Sequence, residues 1–442
     1  MASMAVEWFA PWAGGPFSLL PAHFRRVSQK DILGQDGQDP RDPRSKIDHS
    51  ARAEARPKRS DVRVEQRRKM TAAASLPSPI RHSHTLPDGR LLAYYTFATG
   101  VEEAQLQSHH PVLYFHGFPG SGVEATICAN AAVGANCQII GIDRPGFGWS
   151  SPSPGGAADW DDPDGYMQGF VADVWDFVRV MGWETLSIIG VSGGGPFALA
   201  MLDSYLKSKL ASKDDAKGGL ANNSCNLEAV SIVCGIFCPA GPDGMMPSNK
   251  KLVSIASLQG WKSSLAYFGL LVLLTFQRFV LLHILLRFFS EKRLLEMASS
   301  MMTDLPEVDR NIFTDDEAVG RAFLNDAKEA LRQGPGPFTR EAKVVFNNAV
   351  YFEESLRDNW AKMKNAAQTK KGRNTSQDTS IPRVNLFHGH LDVNVPPSHS
   401  RYVHENVLGG GEEIYLTEYK NMGHLSLVVK KADEILESAA RK

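Results

Sequence analysis

A buried strand that runs straight into a glycine-rich turn and then into a helix sets the fold class of this chain. Residues 186–191 (LSIIGV) are continuously apolar, and the turn sequence GVSGG at 190–194 follows without a linker. A helical pattern then continues to about residue 206, and Pro196 is tolerated in its first turn because an N–H there has no helical partner. A strand without polar alternation is typical of a parallel sheet covered on both faces. The arrangement predicts an α/β fold.

The rest of the chain repeats this alternation of strands and helices. Bulky apolar side chains recur at helical spacing between residues 170 and 181, and Gly182 ends that pattern. The turn sequence PDG at 87–89 indicates a hairpin over residues 84–98. Further strand-like runs lie at 111–116, 138–143, 229–234, 383–388 and 413–417, and a last helix is expected at 427–439. We therefore expect a mostly parallel, eight-stranded sheet with helices on both faces.

Composition divides the chain into four parts. Residues 1–75 hold 14 Lys and Arg against 9 Asp and Glu, and residues 29–68 contain few aliphatic side chains. Such a segment cannot bury enough apolar surface to offset the entropy of ordering it, so we expect a disordered extension with a weak organelle-targeting pattern at its start. The α/β core is expected over 83–239 and 381–442. A helical block over 240–365 separates its two parts, because this connection is far longer than one strand–helix–strand crossover needs.

Charge and cysteine content exclude several classes of protein. The net charge is -1 over 442 residues, so no global basic field argues for nucleic-acid binding. The five cysteines are an odd number at wide spacings without a C-x-x-C pair, which excludes a disulfide-stapled secreted domain and a zinc ribbon. The sequence contains no phosphate-binding loop motif, and we expect neither a metal nor a cofactor. An intracellular, cytoplasmic protein is expected.

Ser192 is the candidate nucleophile. A G-x-S-x-G turn between a strand and a helix strains the serine backbone and leaves its hydroxyl exposed above the helix N-terminus. The N–H of Gly193, the next residue, can point at a developing oxyanion with the helix dipole behind it. The alternative is a glycine-rich turn that merely packs, and the position at a strand–helix junction favours the catalytic interpretation.

The candidate acid and base are Asp392 and His424. A serine hydroxyl needs a base that is oriented by a third group, and in this architecture the acid and then the histidine follow the serine along the chain. Asp392 directly follows one predicted strand, in the sequence GHLDVNVP, and His424 ends the sequence NMGH after the last strand. Both residues therefore lie in loops at the same edge of the sheet. The competing residues are His388 and His390 as the base and Asp243 as the acid.

From about residue 83 to its end, the chain resembles the α/β-hydrolase fold superfamily, and within it the esterase- and lipase-like serine hydrolases. The resemblance rests on the sequences HGFPGS at 116–121, DRPGFGWS at 143–150 and GVSGGGP at 190–196, which are similar to the family's HGxPG, DxxGxGxS and GxSGGGP motifs. It implies that Phe118 donates a second oxyanion-hole N–H beside that of Gly193. It also implies that the helical block forms a cap or lid over the site.

The resemblance implies a serine hydrolase that cleaves a carboxylic ester or a related acyl bond through Ser192, Asp392 and His424. One alternative is an aminopeptidase similar to prolyl iminopeptidases, which usually have Trp where this chain has Gly193. Another is a non-catalytic ligand-binding protein of the same fold. Epoxide hydrolases and haloalkane dehalogenases also resemble the chain, but their nucleophile is Asp, and Ser192 argues against both.

The predicted cap contains the most apolar stretch of the chain. Residues 265–276 (LAYFGLLVLLTF) carry no charge, and the pattern resumes over 279–286 after Arg278. This is too short for a bilayer span of about 20 residues. We favour buried cap helices, with an acyl-chain tunnel or peripheral membrane contact through residues 263–289 as the alternative. In either case the expected partner is a small, largely apolar ester substrate.

Overall fold

An eight-stranded sheet forms the centre of the protein, which a computed structural model describes over residues 76–100, 108–156, 162–211, 225–346, 352–371 and 381–440. The predicted extension 1–75 lies outside the described residues. The strands are β1 (Pro79–Thr85), β2 (Leu91–Phe97), β3 (His110–Phe115), β4 (Cys137–Ile142), β5 (Thr185–Val191), β6 (Asn226–Val233), β7 (Arg383–Gly389) and β8 (Ile414–Tyr419).

The sheet order is β1-β2-β4-β3-β5-β6-β7-β8. Strand β2 is antiparallel to both β1 and β4, and the other neighbouring strands are parallel. The prediction of a mostly parallel, eight-stranded sheet is therefore confirmed, with the antiparallel pairs confined to one end. The hairpin turn lies where the PDG sequence indicated it, and Gly89 has a φ of 87°, which favours glycine.

Both faces of the sheet are covered, and this explains the continuously apolar strands. Along β3, Leu113 and Phe115 point into one apolar cluster, and the alternate residues Val112 and Tyr114 point into a second cluster on the other face. All four side chains are fully buried. A strand in this position has no water-facing side that could accept polar residues.

Within the described residues, ten helices that we number accompany the sheet. They are α1 (Pro163–Met181), α2 (Gly195–Leu210), α3 (Pro247–Ala256), α4 (Gly260–Phe279), α5 (Glu291–Met301), α6 (Glu317–Ala330), α7 (Pro335–Phe346), α8 (Glu353–Lys371), α9 (His424–Lys430) and α10 (Ala432–Ala440). Shorter helical segments are Gly122–Cys128, Ala129–Gly134, Ser192–Gly194, Cys238–Ala240, Val280–Leu285, Leu286–Phe288, Glu307–Arg310, Ile312–Asp315, Ser398–Tyr402 and Val403–Val407.

Helix α1 begins earlier than the apolar stripe predicted, because its first turn is capped rather than apolar. The carboxylate of Asp162 accepts a hydrogen bond from the N–H of Gly165, and Pro163 occupies the first turn. Its end agrees with the prediction: Gly182 has a φ of 68°, and its N–H bonds to the carbonyl oxygen of Val178.

The connection between β6 and β7 is helical over α3 to α8. Part of it has an apolar cluster of its own, to which Leu294, Phe313 and Phe323 belong, and this cluster also contains Leu425 from α9. Helix α8 runs across residue 365, where the sequence predicted the helical block to end. The side chains of Ser355 and Asn359 in α8 both bond to the carboxylate of Asp203 in α2, so α8 packs on the core.

Candidate active site

Ser192 follows the last residue of β5 and opens the turn into α2. Its φ of 50° lies in the left-handed region, which a residue with a side chain adopts only where its surroundings hold it there. Glycine is required at positions 190 and 194, because a side chain there would collide with the neighbouring backbone. A Cβ at Gly190 would lie 2.6 Å from the carbonyl oxygen of Gly194, and a Cβ at Gly194 would lie 2.1 Å from that of Phe115. The tight turn leaves Ser192 partly exposed in an otherwise buried segment.

The backbone of Phe118 lies against the turn that holds Ser192. Phe118 belongs to the loop after β3, and a Cβ at Gly193 would lie 3.1 Å from its backbone nitrogen and 2.5 Å from its Cβ. The backbones of two different loops therefore lie close together beside the serine. A residue with a side chain at position 193 would push these loops apart. This is the arrangement that two converging N–H donors need.

Asp392 and His424 are brought together from the loops after β7 and β8. The distance between His424 Nδ1 and Asp392 Oδ2 is 2.6 Å, and both residues are buried. Because a carboxylate can only accept, Nδ1 carries a proton. The other oxygen, Asp392 Oδ1, accepts hydrogen bonds from the N–H groups of Asn394 and Val395, each at 2.9 Å.

The electrostatics of Asp392 favour its charged form. Burial alone would raise its pKa, but the charge of His424 and hydrogen bonds from His388 and His424 outweigh this effect and lower the pKa below its ordinary value. Asp392 is therefore a carboxylate that can hold a histidine in one tautomer and stabilise its protonated form.

Neither competing histidine lines the cavities beside Ser192, although His388 Nε2 lies 3.4 Å from Asp392 Oδ2. The ring of His388 is fully buried: Nε2 donates to the carbonyl oxygen of Val395 at 2.7 Å, and Nδ1 accepts from the hydroxyl of Ser400 at 2.6 Å. His390 pairs with Glu418 at the surface. Asp243 is exposed. His424 is therefore the histidine that is hydrogen-bonded to an acid and also lines the same cavities as Ser192.

His388 also lies beside Cys234, and with Asp392 these two residues form a group whose potential ligand atoms lie within 4.8 Å of one another. The chemistry of the group does not fit a metal ion. Burial raises the pKa of the Cys234 thiol well above its ordinary value, so the thiolate that a metal needs is disfavoured. Both ring nitrogens of His388 already form hydrogen bonds. The group is better described as a packed support for Asp392.

Asp309 is a residue of the site that the sequence analysis missed. It lies in the short helix Glu307–Arg310 of the β6–β7 connection and is fully buried. Its Oδ2 accepts the N–H of His424 at 2.7 Å, and its Oδ1 accepts the N–H of Ser426 at 2.8 Å. Asp309 thus caps α9 and fixes the backbone of the candidate base. No local pattern could have found it, since it lies 115 residues before His424.

The loop that carries Phe118 is held from two sides. Glu124 Oε2 accepts the N–H of Gly117 at 2.9 Å. The Arg144 guanidinium donates to the carbonyl oxygens of His116 and Gly117, at 2.5 and 3.0 Å. Arg144 belongs to the second motif of the sequence analysis, and its buried charge is neutralised by Glu341 of α7. The loop is thereby fixed before any substrate arrives.

Two small cavities adjoin the serine, and Phe118, Ser192 and His424 line both of them. The other walls of the second cavity are mostly apolar, and those of the first combine apolar side chains with Asn249 and Asn394. Ile236, Val345, Phe346 and Val395 contribute to the first, and Ile127, Val191, Phe323, Leu425 and Val428 contribute to the second. Three of the predicted site residues thus line both cavities, and Asp392 is hydrogen-bonded to His424.

Residues 110–212 match a protein-family model described as alpha/beta hydrolase fold. They span β3, β4 and β5 together with α1 and α2, and hence both loops that meet at Ser192. The remaining strands extend the same sheet, in the order given above. This chain has the α/β-hydrolase fold. A comparison with curated proteins gave no match.

Solved structures of several enzymes resemble the chain at low identity. A bromoperoxidase from Bacillus anthracis is 16% identical, with a TM-score of 0.46, and the alignment covers 82% of this chain and 98% of that one. An esterase from Exiguobacterium antarcticum is 12% identical (TM-score 0.45, 80% and 96%), and an epoxide hydrolase from Vigna radiata is 12% identical (TM-score 0.44, 82% and 96%). Activity therefore has to be argued from the residues of the site itself.

Proposed function

We propose that the protein is a serine hydrolase that cleaves a carboxylic ester, or a related acyl bond, of a small and largely apolar molecule. Ser192 is the nucleophile, His424 the general base and acid, and Asp392 the group that orients His424. The observation that carries the proposal is the 2.6 Å hydrogen bond between His424 and Asp392, with His424 lining the same two cavities as Ser192.

The reaction proceeds in two steps. In the first, His424 Nε2 takes the proton of the Ser192 hydroxyl as its oxygen attacks the ester carbonyl, and the oxyanion accepts N–H donors from Phe118 and Gly193. The carbon–oxygen bond to the alcohol then breaks, and His424 gives its proton to the departing alcohol. In the second step, water loses a proton to His424 and attacks the acyl-enzyme, and release of the acid returns the proton to Ser192.

The apolar walls of the second cavity support a largely apolar substrate. A cavity lined mainly by aliphatic and aromatic side chains has few groups that would replace the hydration of a charged ligand, so charged ligands pay a desolvation penalty there. Helices α3 and α7 contribute Asn249, Val345 and Phe346 to the walls of the first cavity. The ring of Phe118 also packs against Phe338 of α7, with centroids 4.6 Å apart. We therefore propose that the helices of the β6–β7 connection act as the cap.

The aminopeptidase alternative needs a carboxylate that could hold a substrate ammonium group. Among the described residues that line the two cavities, Glu124 is the acidic one. Its oxygens already accept hydrogen bonds from the hydroxyl of Tyr114 and the N–H of Gly117. These contacts favour a role in holding the loop over the binding of an amine.

A fluorophosphonate probe tests the proposal directly, because it reacts only with a serine that has been activated. We expect the full chain to be labelled, the Ser192→Ala variant not to be labelled, and the surface variant Ser254→Ala to be labelled as the wild type is. Labelling of the wild type that is no faster than that of Ser192→Ala would contradict the proposal and favour a non-catalytic protein. A panel of p-nitrophenyl esters of increasing acyl length would then define the substrate class.

A further inference from the structure

Helix α4 exposes an apolar stripe along its whole length. At about 100° per residue, six large apolar side chains fall within an arc of about 80° on this helix. They are Trp261, Leu265, Phe268, Val272, Phe276 and Phe279, and each is more than half exposed. The stripe differs from the sequence-based expectation of buried helices over 263–289, which holds only for the opposite face.

The opposite face of α4 attaches the helix to the protein. Ser263, Leu270, Leu274 and Gln277 are buried, and they project on the side facing away from the stripe. Ser263 Oγ accepts a hydrogen bond from Lys343 Nζ of α7 at 2.9 Å. The orientation of the helix is therefore fixed by contacts on its inner side, and the stripe is left facing outward.

The exposed apolar surface is concentrated in this region. Of the sixteen large hydrophobic side chains that are exposed in the described residues, nine lie between residues 261 and 289. Beyond α4 they include Ile284, Phe288 and Phe289. Single exposed apolar residues are normal, but a contiguous patch of this kind marks a surface that binds a membrane or another protein.

The charge around the stripe indicates which kind of partner binds there. No Asp or Glu occurs between residues 244 and 290, whereas five Lys and Arg do. Lys250, Lys251, Lys262 and Arg287 are exposed there. A second copy of the chain, placed face to face on this surface, would bring the same positive charges together. An anionic lipid surface would instead be attracted to the cations and would take up the apolar side chains.

We propose that α4 binds peripherally to a bilayer that contains anionic lipids, lying in the plane of the interface with its stripe among the acyl chains. No helix in the described part of the chain is long and apolar enough to cross a membrane. The binding does not require Ser192 to be reactive. Since α4 rests on α7, which packs against Phe118, the docked protein would have its cavities close to lipid-soluble esters.

Flotation of the full chain with vesicles tests this binding. Vesicles of phosphatidylcholine are compared with vesicles that contain about 30% phosphatidylserine, at low salt and at about 0.5 M salt. We expect binding to the anionic vesicles that is at least about tenfold stronger than to the neutral ones and that weakens at high salt. The Phe268→Ser/Phe276→Ser double variant should lower binding to anionic vesicles at least about tenfold.

The matched control is Val180→Ser/Met181→Ser, which removes two exposed apolar side chains from the end of α1 and should bind as the wild type does. Lys250→Gln/Lys251→Gln should reduce binding to anionic vesicles and leave binding to neutral ones unchanged. Circular dichroism checks that each variant is folded. The Ser192→Ala variant should float with the vesicles as the wild type does, so failure of the proposed catalysis would not affect the result.

Three outcomes would overturn the proposal. One is binding of the stripe variant that equals the wild type. Another is a wild type that binds neither kind of vesicle but self-associates in sedimentation experiments, while Phe268→Ser/Phe276→Ser stays monomeric. That result would assign the stripe to a second copy of the chain. Absence of both vesicle binding and self-association would equally contradict it.

Discussion

His424 Nδ1 lies 2.6 Å from Asp392 Oδ2, and the second oxygen of Asp392 is held by two backbone N–H groups. The carboxylate therefore cannot turn away from the imidazole without breaking hydrogen bonds on its other side. This places a proton on His424 Nδ1, and Nε2 takes no part in the contact. Asp392 is therefore held in a position from which it orients the imidazole, which a charge that is merely nearby would not do.

Replacement of Asp392 by Asn should lower kcat by about 10³- to 10⁴-fold, because an amide can donate to the imidazole and favour the wrong tautomer. Hydrolysis of a p-nitrophenyl ester measures the effect, and circular dichroism checks the fold. Asp243→Asn, which changes the exposed rival acid, is the control and should keep full activity. Equal losses in both variants, or none in Asp392→Asn, would contradict the assignment.

Replacement of Gly193 by Ala should lower kcat by about 10²- to 10³-fold. The added Cβ would lie 2.5 Å from the Phe118 Cβ, so the two loops must separate and their N–H groups can no longer converge. Gly169→Ala is the control, since nothing lies within 4 Å of a Cβ there and alanine is the better helix residue inside α1. Full activity of Gly193→Ala would rule out this pair of donors.

The parts of the site that the sequence predicted are those that local rules determine. The turn at Ser192 follows from two glycines between a buried strand and a helix. Asp392 and His424 follow from their positions after successive strands of a parallel sheet, whose carboxyl ends share an edge. Each of these features can be predicted from a few neighbouring residues and from the direction of the strands.

The parts that the sequence did not predict depend on contacts between distant segments. Asp309 reaches His424 across 115 residues, and Glu341 reaches Arg144 across 197 residues. An acidic residue in a helix looks the same whether it faces water or a buried partner. The sequence analysis favoured burial of α4 over membrane contact for a related reason: a helix that is apolar on most of its surface gives no sign of which face is covered.

The stability of the protein should fall as pH rises through the range in which two buried acids lose their protons. Burial raises the pKa of both Glu124 and Asp326, and the charge of Glu124 raises that of Asp326 further. The folded state therefore binds protons above the ordinary pKa values of these groups, where the unfolded state does not. The stabilisation is fully present below those values and is lost as pH increases through the raised ones.

The Glu124→Gln variant should make this decline shallower, by at most about 1.4 kcal/mol per pH unit for one proton. Urea unfolding at a series of pH values between about 5 and 8 measures the slope. Glu412→Gln is the control, because Glu412 is exposed and its replacement should leave the slope unchanged. Parallel curves for the wild type and Glu124→Gln would show that Glu124 does not take up a proton on folding.

The buried ion pair between Arg144 and Glu341 should be costly to break from one side. Both side chains are fully buried, and Glu341 accepts from Arg144 Nε at 2.8 Å and Nη2 at 2.5 Å. Glu341→Gln would leave the guanidinium charge uncompensated, so we expect a loss of about 3–5 kcal/mol in the free energy of unfolding. Urea unfolding measures this loss.

The exposed pair of Arg321 and Glu317 is the comparison, and Glu317→Gln should change the free energy of unfolding by no more than about 1 kcal/mol. The double variant Arg144→Met/Glu341→Met removes both buried charges and should regain much of the loss. It should not regain ester hydrolysis, because Arg144 also holds the carbonyl oxygens of His116 and Gly117 beside Phe118. A Glu341→Gln variant as stable as Glu317→Gln would mean that the pair contributes nothing beyond a surface contact.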